Sequence, residues 1–107
     1  MCLTVVAVIP AYNEEKTIAV IVQATRDYCN DIVVVDDGST DKTSTILSKI
    51  GVRYIVHEKN MGVGVATRNG IESALSLGAD IVVTLDGDGQ HDLGRDRLHR
   101  NDRYRAR

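Results

Sequence analysis

Apolar residues fall in four short runs rich in β-branched side chains, each followed by a polar loop and then by a stretch with helical spacing. That alternation builds a parallel sheet covered by helices. The first strand is expected over residues 4–9, ending at Pro10, which has no N–H to give to a ladder. Asn13 then reads as a helix cap, with Glu14 and Glu15 at the positive end of the dipole and Ile18, Ile21, Val22 and Thr25 as the inward stripe. The second strand, residues 32–35, runs straight into Asp36 and Asp37. A helix from about Lys42 buries Ile46, Leu47 and Ile50 and ends at Gly51, a residue suited to a left-handed C-terminus. The third strand is residues 53–57, and its helix carries Ala66, Gly70, Ala74 and Leu77 on one face, stopping at Gly78. Small residues on that face predict a close approach to the sheet, although an interior helical glycine costs about 1 kcal/mol relative to alanine. The fourth strand is residues 81–85. Right-handed crossovers give an α/β architecture of three layers, α/β/α, around a Rossmann-like parallel sheet of expected order 3-2-1-4.

Composition narrows this picture without changing it. The 107 residues hold one Pro, nine Gly and no Trp or Phe, so the chain has room for one core and that core is aliphatic. The longest apolar runs are far below the ~20 residues that cross a bilayer, and no basic segment precedes an apolar stretch at the start. Cys2 and Cys29 have no metal-ligand spacing, so reduced thiols and a cytoplasmic setting, at most peripheral at a membrane surface, are expected. Charge, by contrast, divides the chain. Residues 1–93 carry 7 Lys and Arg against 13 Asp and Glu, whereas residues 94–107 carry 6 Arg against 2 Asp. Residues 1–93 read as a folded domain. The Arg-rich stretch 94–107 has no usable period and is expected to be largely disordered, the solvated tail of a truncated or frame-shifted gene rather than a nucleic-acid-binding arm.

In an open parallel sheet, ligands bind beyond the carboxyl ends of the strands, near the point where strand order reverses. Three polar segments converge there: residues 10–14, 36–41 and 86–90. Asp86 and Asp88 alternate with glycines, a spacing that can aim two carboxylates at one Mg²⁺ or Mn²⁺; Asp-Gly is also ordinary turn chemistry, and the segment alone leaves both readings open. A helix-loop-helix calcium loop is excluded, because its sixth and twelfth positions are His91 and Arg97 instead of Gly and Glu. Asp36 and Asp37 either accept hydrogen bonds from a base or ribose or serve as turn and cap residues. Neither a dinucleotide-binding nor a phosphate-loop glycine pattern is present. Residues 60–64 read as a tight turn before a helix or as a phosphate contact, Arg68 as solvated or as reaching the site from one turn into that helix, and His91 as a polar loop residue or a further metal ligand, while His57, His99 and Tyr28 carry no signal.

Residues 8–15, 34–41, Asn60 with Gly62, Arg68 with Gly70, and residues 85–91, taken in this order, resemble the family 2 glycosyltransferases of the GT-A fold, nearest the polyprenyl-phosphate sugar synthases of the dolichyl-phosphate mannose synthase type. The resemblance covers about residues 3–92. It implies that Pro10, Ala11, Tyr12, Glu14, Val35, Asp36 and Asp37 line the nucleotide, that Asp86 and Gly87 contact the donor, and that Asp86, Asp88 and Gln90 approach a Mg²⁺ or Mn²⁺ ion. The implied reaction moves a hexose from a GDP- or UDP-sugar to an acceptor, in this branch a polyprenyl phosphate. Family members continue well beyond the length of this chain, where the acceptor site lies, so no catalytic base maps onto these residues. Two readings follow: a metal-dependent transferase whose donor half is this chain, or a nucleotide-sugar-binding module without transfer chemistry. If the fourth strand is left as an unpaired apolar edge, a homodimer or other self-association is expected.

Overall fold

The structure, a computed structural model, describes residues 3–85 and 103–105. The elements run β1 (Val5–Ala11), α1 (Ile18–Arg26), β2 (Asp31–Asp36), α2 (Thr43–Ile50), β3 (Arg53–Val56), α3 (Val63–Ser76), β4 (Ile81–Thr84) and β5 (Arg103–Arg105). They form one sheet of order β3-β2-β1-β4-β5, in which β1 to β4 are parallel and β5 is antiparallel to β4. The expected order 3-2-1-4 is therefore the order observed. It follows from apolar strands that must bury both faces, so that each crossover helix has a face to cover.

Side-chain alternation sorts the core into two layers. Ala7, Ile9, Ile32, Val34 and Val83 pack with Ile18, Ile21, Val22 and Leu47 beneath α1 and α2. Val6, Val8, Val33, Val35 and Val82 pack with Ala66 and Ala74 beneath α3. The predicted stripe of α1 is the set that is buried, Ile18, Ile21, Val22 and Thr25. On α3 the small residues Ala66, Gly70 and Ala74 face the sheet. The approach there is close: a Cβ on Gly70 would lie 2.2 Å from Val8 Cγ1 and 3.1 Å from Val35 Cγ2.

Four expectations change. First, β1 does not stop at Pro10 but continues to Ala11, with Pro10 opposite Val35 and Ala11 opposite Asp36. The Val8 carbonyl accepts from Leu85 on the β4 side, and the Ala11 carbonyl accepts from Asp37 on the β2 side. By alternation Pro10 faces the β4 side, beyond the last β1–β4 pair at Val8 and Thr84, so its missing N–H costs no ladder bond. Second, Asn13 does not cap α1. The helix begins at Ile18 after a turn in which the Glu14 carbonyl accepts from the amides of Thr17 and Ile18. Third, β3 ends at Val56, so His57 lies just beyond the strand. Fourth, the outer edge of β4 is not open, because Ile81, Val82 and Val83 pair with Arg105, Tyr104 and Arg103. That pairing removes the reason for expecting self-association through β4, and it places three residues of the Arg-rich stretch in a strand.

Candidate functional site

The carboxyl ends of β1 and β2 lie side by side, and the segments that follow them are fastened to each other. The Asp37 amide donates to the Ala11 carbonyl at 2.8 Å. Asn13 adopts φ 54°, a left-handed conformation that asparagine tolerates, and turns its side chain across the gap. Its Oδ1 accepts from the amides of Thr40 (2.8 Å) and Asp41 (3.3 Å), while its own amide donates to Ser39 Oγ at 2.8 Å. Further along, the Glu14 amide donates to Thr43 Oγ1 (3.0 Å), the Glu15 amide to Asp41 Oδ2 (3.2 Å), and the Lys42 amide to Glu15 Oε1 (2.9 Å). Side-chain oxygens of one loop thus satisfy the backbone donors of the other, so neither loop can move alone.

Asp36 and Asp37 are 1% and 3% exposed, yet they face different tasks. Asp36 closes a turn by accepting from the Ser39 amide at Oδ1, 3.0 Å. Asp37 reaches toward the loop between β3 and α3. Its Oδ1 accepts from the Met61 amide (2.9 Å) and meets His57 Nδ1 (2.7 Å), and its Oδ2 accepts from the Gly62 amide (2.9 Å). Burial pushes the Asp37 carboxyl up, but the His57 ring and the two amides outweigh it and hold the group below the ordinary carboxylate range. The same two loops touch through backbone at Gly38, which has φ +77°. A Cβ there would lie 2.4 Å from the Lys59 carbonyl carbon and 2.5 Å from the Asn60 nitrogen. Only glycine satisfies both the conformation and the contact.

The residues singled out from the sequence distribute as follows. Pro10 and Ala11 end β1, and Tyr12 is exposed beside them. Glu14 is half-buried in the fastened loop. Val35 is fully buried, with its side chain in the core beneath α3, so any contact it makes with a ligand runs through its backbone. Asp86, Gly87, Asp88 and Gln90 lie outside the described residues, as does His91; Leu85, the residue before Asp86, is bonded through its amide to Val8 of β1 at 2.9 Å. Among the described residues no group of three or more His, Cys, Asp or Glu is placed to hold a metal ion. Arg68 is exposed.

The sequence reading missed His57 and Asn69. His57 has no period or motif of its own, and only the folded chain shows its ring between Asp37 and the Asn69 amide nitrogen, 3.0 Å from Nε2. The one available signal was the Asn60-x-Gly62-x-Gly64 pattern. It marks a turn whose amides point inward, here to a buried carboxylate.

Comparison with known proteins adds to this geometry. Residues 6–98 match the model of the family described as glycosyl transferase family 2. A UDP-N-acetylglucosamine–dolichyl-phosphate N-acetylglucosaminyltransferase of Methanococcus voltae is 43% identical, over 78% of this chain and 41% of that protein. A polyprenol monophosphomannose synthase of Mycolicibacterium smegmatis is 32% identical, over 78% of this chain and 35% of its own length. The chain therefore spans well under half the length of these relatives. Among solved structures, S. aureus TarS 1–349 in complex with UDP superposes with a TM-score of 0.67 at 28% identity, over 80% of this chain and 28% of that one. Glucosyl-3-phosphoglycerate synthase from Mycobacterium tuberculosis, in complex with Mn²⁺ and UDP-glucose, gives 0.65 at 30% identity, over 80% and 33%.

Proposed function

The chain belongs to glycosyl transferase family 2 and has the GT-A fold, and we propose that it forms the donor-binding part of an enzyme that moves a hexose from a nucleotide diphosphate sugar to a polyprenyl phosphate. The observation that carries this reading is the fastened pair of loops at the carboxyl ends of β1 and β2, at the reversal point of the sheet, with two buried aspartates beneath them. Nucleotide complexes of the similar structures and the lipid-phosphate acceptors named for the relatives supply its chemistry.

In this reading Tyr12 and the backbone of residues 10–14 and 35–37 line the nucleotide. Asp36 is assigned to accept from the donors of the base or ribose, since an ionised carboxylate only accepts. The acidic rim would otherwise oppose a diphosphate: at ~5 Å and an effective dielectric of ~20, each unit pair of like charges costs about 3 kcal/mol. By the resemblance to the family, and with Mn²⁺ and the nucleotide sugar both bound in a similar structure, we assign Mg²⁺ or Mn²⁺ to Asp86, Asp88 and Gln90, with Asp86 and Gly87 also touching the donor. What the bound ion supplies is neutralisation of that conflict and stabilisation of charge on the departing nucleotide diphosphate. A lipid phosphate is already ionised and needs no base to attack. Among the described residues no helix is long and apolar enough to cross a membrane.

Calorimetric titration with UDP- and GDP-sugars, with and without Mn²⁺, tests donor binding: a metal-dependent heat with one nucleotide class is expected, and no heat with any donor rejects the reading. Transfer of radiolabelled sugar to a polyprenyl phosphate then separates a transferase from a module that only binds.

A further inference from the structure

We infer that His57 is a positioning residue of this rim: its Nδ1–H, donated to Asp37, fixes the carboxylate that seats the amides of Met61 and Gly62, and so sets the β3–α3 loop against Gly38. The geometry of this inference stands alone, while its consequence for ligand binding rests on the donor-binding reading above.

Three elements meet on the one residue. The His57 amide donates to the Asp36 carbonyl at 2.9 Å, tying the end of β3 to the end of β2. Its Nδ1 lies 2.7 Å from Asp37 Oδ1, and its Nε2 lies 3.0 Å from the Asn69 amide nitrogen on α3. As the Asn69 amide is oriented, Nε2 accepts, which leaves the ring proton on Nδ1, facing the carboxylate. The side chains of His57 and Asp37 are 11% and 5% exposed, so water does not readily replace this bond. Their bond orients the carboxylate toward the amides of Met61 and Gly62.

The effect passes to the rim through backbone contact. Met61 and Gly62 are held by the two oxygens of Asp37, and the preceding Lys59 and Asn60 press on Gly38 at distances that leave no room for a methyl group. Gly38 lies between Asp36 and its turn partner Ser39. Without the ring, Asp37 loses one of three bonds and its defined orientation. The β3–α3 loop then loosens, and the Asp36 turn loosens with it.

Two substitutions separate orientation from volume. His57→Phe keeps a ring and removes both nitrogens, whereas His57→Asn can place an amide N–H where Nδ1 stood. Amide hydrogen exchange at Met61 and Gly62, followed by NMR on the full chain, reads the positioning directly. Calorimetry with UDP-glucose and GDP-mannose in Mn²⁺ reads its consequence. We expect His57→Phe to lower protection at both amides and donor affinity by about tenfold each, the scale of a lost hydrogen bond to a charged group, while β1 amides stay protected. His57→Asn should remain within about threefold of the parent in both readouts. Wild-type protection at Met61 and Gly62 in a folded His57→Phe chain overturns the inference, and lost protection with unchanged affinity overturns its link to the donor site. If His57→Phe does not fold, Asn69→Leu, which removes the donor to Nε2, carries the same two measurements. A parent chain that binds neither sugar nucleotide rejects the donor reading alone, and the exchange data still decide the role of His57.

Discussion

Asp37 and Asp41 show how this rim is built from single carboxylates that spend their oxygens on backbone. Burial would raise the Asp41 carboxyl, but the hydroxyl and amide of Thr43 and the amide of Glu15 outweigh it and hold the pKa below its ordinary value. Asp37 is lowered in the same way by His57, Met61 and Gly62. The fold therefore favours the ionised forms. Their stabilisation is complete above the unfolded carboxyl value of about 3.9 and is withdrawn as pH falls through the lowered folded values. An Asp41→Asn chain should be less stable at neutral pH, and its urea midpoint should fall less steeply than the parent's between about pH 5 and pH 2. Parallel acid profiles would show that Asp41 is not linked to folding. Little of this was legible in residues 36–41 taken as a string. The aspartates marked a polar turn, but which oxygen meets which amide depends on a loop more than twenty residues away.

At the scale of elements, helix faces and strand faces were the most readable features, because a period of 3.6 or 2 is a local property. Ile18, Ile21, Val22 and Thr25 are buried as their spacing requires, and Gly51 ends α2 in the left-handed conformation. Loop chemistry was less readable: Asn13 has the residue type of a helix cap and serves instead as a clamp on the neighbouring loop. Gly70 gives the element-scale test. Helix propensity alone would make Gly70→Ala favourable by about 1 kcal/mol. The added methyl, however, meets Val8 Cγ1 at 2.2 Å, and overpacking of that kind costs about 1–3 kcal/mol. A net loss of about 1 kcal/mol is expected, read as a lower urea midpoint with unchanged slope. A gain in stability would show that α3 can withdraw from the sheet at no cost.

For the whole molecule, the sheet brings the ends of β1, β2 and β3 to one rim while both faces are covered by helices. A ligand that bridges the loops there should stabilise the fold as a unit. With a bound nucleotide sugar at about a hundredfold over its dissociation constant, linkage adds ~2.7 kcal/mol, which for a domain of this size is a rise in thermal midpoint of about 10 °C or more. A metal-dependent rise of that order with UDP- or GDP-sugars is expected. A midpoint indifferent to every donor would remove the site from this rim.

The sequence by itself determined the α/β alternation, the strand order, the two-faced core and the family, because apolar periodicity and ordered motifs are written in neighbouring residues. Tertiary structure alone decided that β1 runs through Pro10, that β4 pairs with Arg103–Arg105, and that His57, silent in the string, lies between Asp37 and Asn69. Each of those outcomes depends on which group faces a given hydrogen-bond donor or acceptor across the fold. That is a property of distance in space, and spacing along the chain does not encode it residue by residue.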